Sequence, residues 1–173
     1  MTTTPPAAEP KPFRYYVRVR YQDCDSQHVV FNARYGDYLD LAITEFLAAS
    51  MPGRDPFNGT FEIQLKTQTI EWFAPARFQD VIEISTHATR FGRSSFNMRF
   101  ELRIAGRGDQ KLDQKRNPEP IVTAETVYVH VAGANGVWKS TPIPVDARAL
   151  LAAGGRGKIV DHAGFYPIVR PQP

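Results

Sequence analysis

Cysteine is nearly absent from this chain: Cys24 is the only one in 173 residues. No intramolecular disulfide can form, and there is no cysteine-based zinc knuckle. His87, His130 and His162 are scattered, without the His, Asp and Glu spacing of a metal site, so no metal is expected. Long apolar runs are missing too; none approaches the roughly 20 residues that cross a bilayer as a helix. Residues 1–13 lack the charged and apolar regions of a secretory signal, so the expectation is a soluble, cytoplasmic protein with no membrane partner. Charge of one sign is also scarce. The net charge is +3, and much of the basic surplus falls in residues 103–116 and 156–158. No strand offers a basic face with interleaved aromatics, which argues against nucleic acid. The small surplus still favours polyanionic ligands such as phosphorylated cofactors.

What is present suits a globular domain. The chain is long enough for one domain with a substantial core, and its 42% hydrophobic and 23% charged residues exclude disordered and fibrous classes. Residues 1–12, rich in Thr, Pro and Ala, read as a disordered arm. Tyr15, Val17, Val19 and Tyr21 alternate with Tyr16, Arg18 and Arg20, the pattern of a half-buried strand. From about Asn32 the period becomes helical: Tyr35, Tyr38, Leu39, Ala42, Ile43, Phe46 and Leu47 share one face, and Met51-Pro52-Gly53 ends it.

Beyond that helix the chain reads mostly as strand. Phe61, Ile63 and Leu65 alternate until the phase slips to Ile70 and Trp72, which predicts a bulge. A turn at residues 74–80 leads to a strand over 81–89, and a second turn at 91–93 to one over 95–104. There Phe96, Met98, Phe100, Leu102 and Ile104 form an unbroken apolar face. Residues 105–120, with Gly, Asp, Lys and Pro, predict a mobile hairpin insertion. Strands are expected at 121–131 and 137–140, and Asp146 as the N-cap of a short helix over 147–153 stopped by Gly154-Gly155. The domain thus spans 13–153, with 154–173 as a tail that is polar apart from a small apolar cluster at residues 165–169. One strand, one long helix and a run of antiparallel strands is an α+β order, a sheet wrapped around one central helix. Its leftover strand edges predict a homodimer.

The chemistry concentrates in Asp23-Cys24-Asp25-Ser26-Gln27-His28-Val29-Val30-Phe31-Asn32, between the first strand and the long helix. A helix N-terminus presents unpaired N–H groups and the positive end of a dipole. A thioester carbonyl lodged there has its developing oxyanion stabilised by the N–H near Asn32. A carboxylate just upstream attacks directly or activates water. The bland alternative for Asp25 is an Asx-turn or helix cap. Asp23 reads as structural, and Cys24 as a small buried hydrophobe, since no histidine is arranged to activate it. His28 is open between a pocket residue that orients Asp25 and a packed histidine. Tyr35 and Tyr38 read as core, with Tyr35 near enough to the helix start to line a pocket. Thr67, Gln68 and Glu71 lie on a strand that, in a dimer, approaches the partner's loop.

The same segment resembles the 4-hydroxybenzoyl-CoA thioesterase family of hotdog enzymes. The likeness is a D-x-D-x-x-x-V-V-aromatic-x-x-x-Y string over residues 23–35, continued by Tyr38-Leu39-Asp40. The turn at 75–80 and Thr141-Pro142-Ile143-Pro144 fit as well, while both tails and residues 105–120 fall outside it. The resemblance implies a hotdog fold, a dimer or dimer of dimers, and an acyl-CoA substrate whose CoA moiety is the only cofactor-like group. It implies Asp25 as the catalytic carboxylate and the Asn32 backbone N–H as the group that polarises the carbonyl. Arg93, with Arg90 and Ser94 beside it, falls in the patch for CoA phosphates. His28 stands where the family usually has glycine, and Asn32 where some members carry histidine or tyrosine. A non-catalytic hotdog module that binds acyl-CoA or lipid is the alternative; a hydratase is disfavoured because Asp25 and His28 lack that class's spacing.

Overall fold

The 3.6-residue spacing of the apolar stripe yields the helix it predicts. Helix α1 spans Arg34–Ser50, and Tyr35, Tyr38, Leu39, Ala42, Ile43, Phe46 and Leu47 are all buried. A computed structural model describes residues 12–54, 59–108, 110–111, 119–134 and 137–165. Except for Pro12, the expected N-terminal arm lies outside the described residues.

Around α1 the chain forms β1 (Phe13–Arg18), β2 (Glu62–Trp72), β3 (Asp80–Phe91), β4 (Ser95–Arg107), β5 (Gln110–Lys111), β6 (Val122–Ala134), β7 (Val137–Ser140) and β8 (Ile159–Asp161). A second helix, α2, covers Val145–Ala153. The sheet runs in the order β2-β6-β4-β3-β1-β8, with β5 added to β4 and β7 to β6. Every pairing is antiparallel except β1 with β8. The α+β arrangement expected from the sequence is present, and the core fills the space between α1 and one face of the sheet.

β4 is the centre of that core. Phe96, Met98, Phe100 and Leu102 are fully buried and Ile104 nearly so, because alternate residues of a strand share one face. The phase slip in β2 appears as a register shift between Leu65 and Thr67 opposite β6. β2 is also the outermost strand on its side of the sheet, and Leu65 and Trp72 stay about half exposed, at 52% and 49%.

Several local expectations are corrected. β1 stops at Arg18, and Tyr21 is 82% exposed rather than inward. The chain curls into a 3-10 turn at Tyr21–Asp23 because Asp23 N–H donates to the Arg20 carbonyl (3.1 Å) while the Asp23 carboxylate accepts from the Arg20 N–H (2.9 Å). Tyr16, expected on the solvent side, is fully buried with Val81, Ala105 and Ala163, and its ring stacks on Phe165 at 5.8 Å. The stretch read as a polar tail supplies that cover, since β8 pairs with β1 and lays Ala163 and Phe165 over the outer face. Residues 105–107, expected in the mobile insertion, continue β4, and β5 folds back on them as a hairpin; 112–118 lie outside the described residues. Finally, Pro144 rather than Asp146 is the N-cap of α2; Asp146 sits in the first turn, paired with Arg54. Gly154 closes α2 in a left-handed conformation, φ +66°, as a C-terminal glycine does.

Phe100 tests the packing. It faces Thr86 of β3 and Ala124 of β6 with no solvent contact. Phe100→Ala is expected to lower unfolding free energy by about 3–5 kcal/mol, measured in urea. A loss below about 1 kcal/mol would contradict a closely packed site.

Candidate active site

The loop between β1 and α1 is a tight hairpin laid beside the helix start. Cys24 and Val30 form an antiparallel bridge, Asp25 N–H donates to the Val29 carbonyl (2.9 Å) and His28 N–H to the Asp25 carbonyl (3.0 Å). His28 closes the turn at φ +61°, a left-handed conformation in which a glycine carries no Cβ penalty. That backbone requirement explains why a glycine suits this position, and His28 meets it with its ring exposed.

Asp25 is half-buried, and its Oδ1 accepts from the Gln27 N–H at 2.8 Å. This is the Asx-turn that the sequence allowed, so one carboxylate oxygen shapes the hairpin. Asp25 and His28 line one side of a hollow of about 420 Å³, with Tyr21, Cys24 and Phe78. The rings of Tyr21 and Phe78 meet edge to face at 6.2 Å. Cys24 is half-buried rather than buried, and burial together with the negative charge of Asp23 pushes its thiol pKa up. It therefore rests as a thiol.

The helix start supplies donors. Arg34 N–H reaches back to the Phe31 carbonyl (2.8 Å) and Tyr35 N–H to that of Asn32 (3.4 Å), so the backbone is already helical before α1 begins. The N–H groups of Asn32 and Ala33 make no hydrogen bond among the described residues, as the first donors of a helix do not. Asn32 and Tyr35 border a second hollow of about 270 Å³, walled by Val30, Trp72, Phe73 and Pro75. Within one chain, then, Asp25 and Asn32 border two different hollows.

Asp23 joins them. Its carboxylate has no solvent exposure and accepts from Arg20 N–H (2.9 Å), Arg20 Nε (3.2 Å), Arg20 Nη2 (3.0 Å) and the Tyr38 hydroxyl (2.9 Å). Burial alone would raise its pKa, but the hydrogen bonds from Arg20 and Tyr38 outweigh that and hold it below the usual carboxylate range. Its carbonyl accepts from Phe31 N–H at 2.9 Å. The structural role read for Asp23 is what the geometry provides. The sequence reading missed the hydroxyl of Tyr38; a tyrosine on an apolar stripe looks like core, and its phenol was the available signal.

The other candidates are placed elsewhere. Arg90 and Arg93 are exposed and Ser94 half-buried around the turn after β3. The Asp25 hairpin packs against the opposite end of that strand, where Val29 bridges Arg77. Ten residues of strand separate Asp80 from Arg90, roughly 30 Å, so one chain does not bring this patch to Asp25. Gln68 of β2 is half-buried, with Oε1 3.5 Å from the place a Cβ on Gly36 of α1 would occupy. Thr67 and Glu71 are exposed. Among the described residues no group of three His, Cys, Asp or Glu side chains converges as a metal site. None of the described helices is long and apolar enough to cross a membrane.

Comparison with known proteins adds the family. Residues 19–151 match the sequence profile of the Thioesterase-like superfamily. The chain belongs to that superfamily. Among curated relatives, the acyl-CoA thioester hydrolase YbgC of Escherichia coli O6:H1 is 37% identical over 84 residues, covering 44% of this chain and 58% of the relative. The match thus spans less than two thirds of that relative's length. Solved structures share the fold. The 4-hydroxybenzoyl-CoA thioesterase of Pseudomonas sp. strain CBS-3 superposes with TM-score 0.68 at 18% identity, over 81% of this chain and 99% of that one. A hypothetical protein of Aquifex aeolicus gives TM-score 0.65 at 25% identity, over 81% and 99%. The hotdog fold expected for a superfamily member is therefore the fold found.

The depressed pKa of Asp23 makes a pH prediction. A carboxyl that titrates lower when folded contributes stability above about pH 4 and loses it as pH falls through the folded value. Asp23→Asn is expected to be less stable than wild type at neutral pH, with the gap narrowing in acid, in urea unfolding between about pH 2 and about pH 7. A gap that does not change with pH would show that the carboxylate charge contributes nothing.

Proposed function

We propose that this chain hydrolyses acyl- or aroyl-CoA thioesters to the free acid and CoA. The observation that carries the reading is the pair of N–H groups at Asn32 and Ala33, unpaired among the described residues, beside the hairpin that carries Asp25. The Asn32 N–H polarises the thioester carbonyl and stabilises the oxyanion that develops on attack. Asp25 acts as nucleophile or as general base. As a base, it takes a proton from water while the oxygen bonds to the carbonyl carbon; the C–S bond then breaks, and the proton passes to the departing thiolate. As a nucleophile, its carboxylate oxygen bonds to the carbonyl carbon while the C–S bond breaks and CoA leaves as the thiolate; water then cleaves the acyl-aspartyl anhydride, giving the free acid, regenerating the Asp25 carboxylate and supplying the proton that the thiolate takes up. His28, in the same hollow, orients Asp25 or the substrate. Kinship with acyl-CoA thioester hydrolases supports the reaction class.

The site works in a homodimer, or a dimer of such dimers. β2 is eleven residues long with no strand on its outer edge among the described residues, and beside it Leu65, Trp72 and Phe73 stay 52%, 49% and 62% exposed. An unpaired edge with apolar neighbours is the surface that a second copy covers. Because Arg90, Arg93 and Ser94 lie at the far end of β3, they hold the phosphates of a CoA whose thioester sits in another subunit's site.

A second reading, a module that binds acyl-CoA or lipid without cleaving it, is favoured by the Asx-turn that occupies Asp25 Oδ1. One assay separates the two. Over a panel of acyl- and aroyl-CoA esters, wild type is expected to release CoA thiol, and Asp25→Asn to lose about 100-fold or more in kcat. Wild-type turnover in Asp25→Asn would remove Asp25 from the chemistry; tight binding with no release across the panel would establish the binding module. Sedimentation equilibrium at micromolar protein should give at least twice the 19.5 kDa chain mass. A monomer there would sink the shared-site arrangement.

A further inference from the structure

We propose that Tyr38 and Tyr35 are positioning residues whose hydroxyls brace the two flanks of the Asp25 hairpin against α1. The inference rests on the proposed roles of Asp25 and Asn32 and concerns how the two are held in register. The Tyr38 hydroxyl donates to Asp23 Oδ2 at 2.9 Å, two residues before Asp25. The Tyr35 hydroxyl oxygen accepts from Ala76 N–H at 3.3 Å, and the Ala76 carbonyl accepts from Val30 N–H at 2.9 Å, two residues before Asn32. The two rings pack edge to face at 6.0 Å and are 2% or less exposed, so neither hydroxyl swings freely.

The consequence is geometric. Asp25 sits on a hairpin whose own hydrogen bonds, between Asp25 and Val29 and between Asp25 and His28, fix its shape but not its place. The Phe31 N–H bond to the Asp23 carbonyl and the Val29 bridge to Arg77 hold it against the strand and the helix start, and Asp23 on one flank and Val30 on the other each lead on to a tyrosine of the first two turns of α1. The donors at Asn32 and Ala33 belong to the same stretch of backbone. The hydroxyls therefore couple the carboxylate to the oxyanion donors, and displacement of about 1 Å between such groups is enough to lower turnover strongly. Burial raises the pKa of both phenols, so they keep their protons through the physiological range.

The test uses the full chain and an acyl-CoA cleaved by wild type, with Tyr38→Phe, Tyr35→Phe, the double variant and Asp25→Asn in parallel. Phenylalanine keeps the ring packing and removes only the hydroxyl. Tyr38→Phe is expected to lower kcat about ten-fold with KM within about two-fold of wild type, and the double variant to fall further. Amide exchange at Asp25 and Phe31 should quicken in Tyr38→Phe while that of core strands such as β4 does not. A residue that merely stabilises the fold would lower Tm and leave kcat per folded molecule unchanged. Unchanged kcat in Tyr38→Phe, with Asp25→Asn inactive, overturns the brace and leaves the Asp25 assignment standing. Full activity in Asp25→Asn removes the assignment and the brace together. Should Tyr38→Phe fail to fold, Tyr35→Phe, which loses a single acceptor, carries the same kcat and exchange readouts.

Discussion

A carboxylate without solvent contact is tolerated only when donors replace the water it has lost, and Asp23 has four such contacts. Three come from Arg20, two residues beyond β1, and one comes from Tyr38 on α1. Its backbone carbonyl meanwhile holds Phe31 at the helix start. Strand exit, hairpin and helix are thereby tied at one residue. Arg20 keeps 57% of its side chain in water, which limits the desolvation cost of the pair. The placement of the hairpin that carries Asp25 against the start of α1 depends on that knot.

The rest of the molecule treats its two sheet edges in opposite ways. At the β1 edge, β8 adds a short parallel strand, and the segment after it seals Tyr16, Val81 and Ala105 beneath Ala163 and Phe165. His162 fastens that segment, with Nδ1 3.1 Å from the Tyr15 hydroxyl and Nε2 3.5 Å from Glu45 of α1. At the other edge β2 runs for eleven residues without a strand on its outer side among the described residues, and Leu65 and Trp72 stay half open. One edge is covered within the chain, and the other is the edge that the proposed dimer would cover. This asymmetry gives physical content to the reading that the catalytic hollow is completed between subunits.

Period was the most legible property of the sequence. The stripe on α1 and the alternation of Phe96, Met98, Phe100, Leu102 and Ile104 each depend on a repeat that only one secondary structure satisfies, and the bulge in β2 showed as a break in phase. The candidate site was legible as a string of residue types between a strand and a helix, down to the Asx-turn at Asp25. Tyr21 and Tyr16 were misread because alternation tells which residues share a face but not where a strand ends or what covers its other side. β8 was missed because three residues carry no measurable period.

Sequence alone determined the long helix with its buried face, the inner face of β4 and the stretch that holds the candidate site, because these follow from local spacing and from side-chain chemistry. Tertiary structure alone decided that Tyr38 serves Asp23, that the C-terminal segment covers the outer face, and that the turn bearing Arg93 lies at the opposite end of β3 from the Asp25 hairpin. Each of these is a meeting, or a parting, of residues distant in the chain. It is set by how helix and strands pack, which no local pattern encodes.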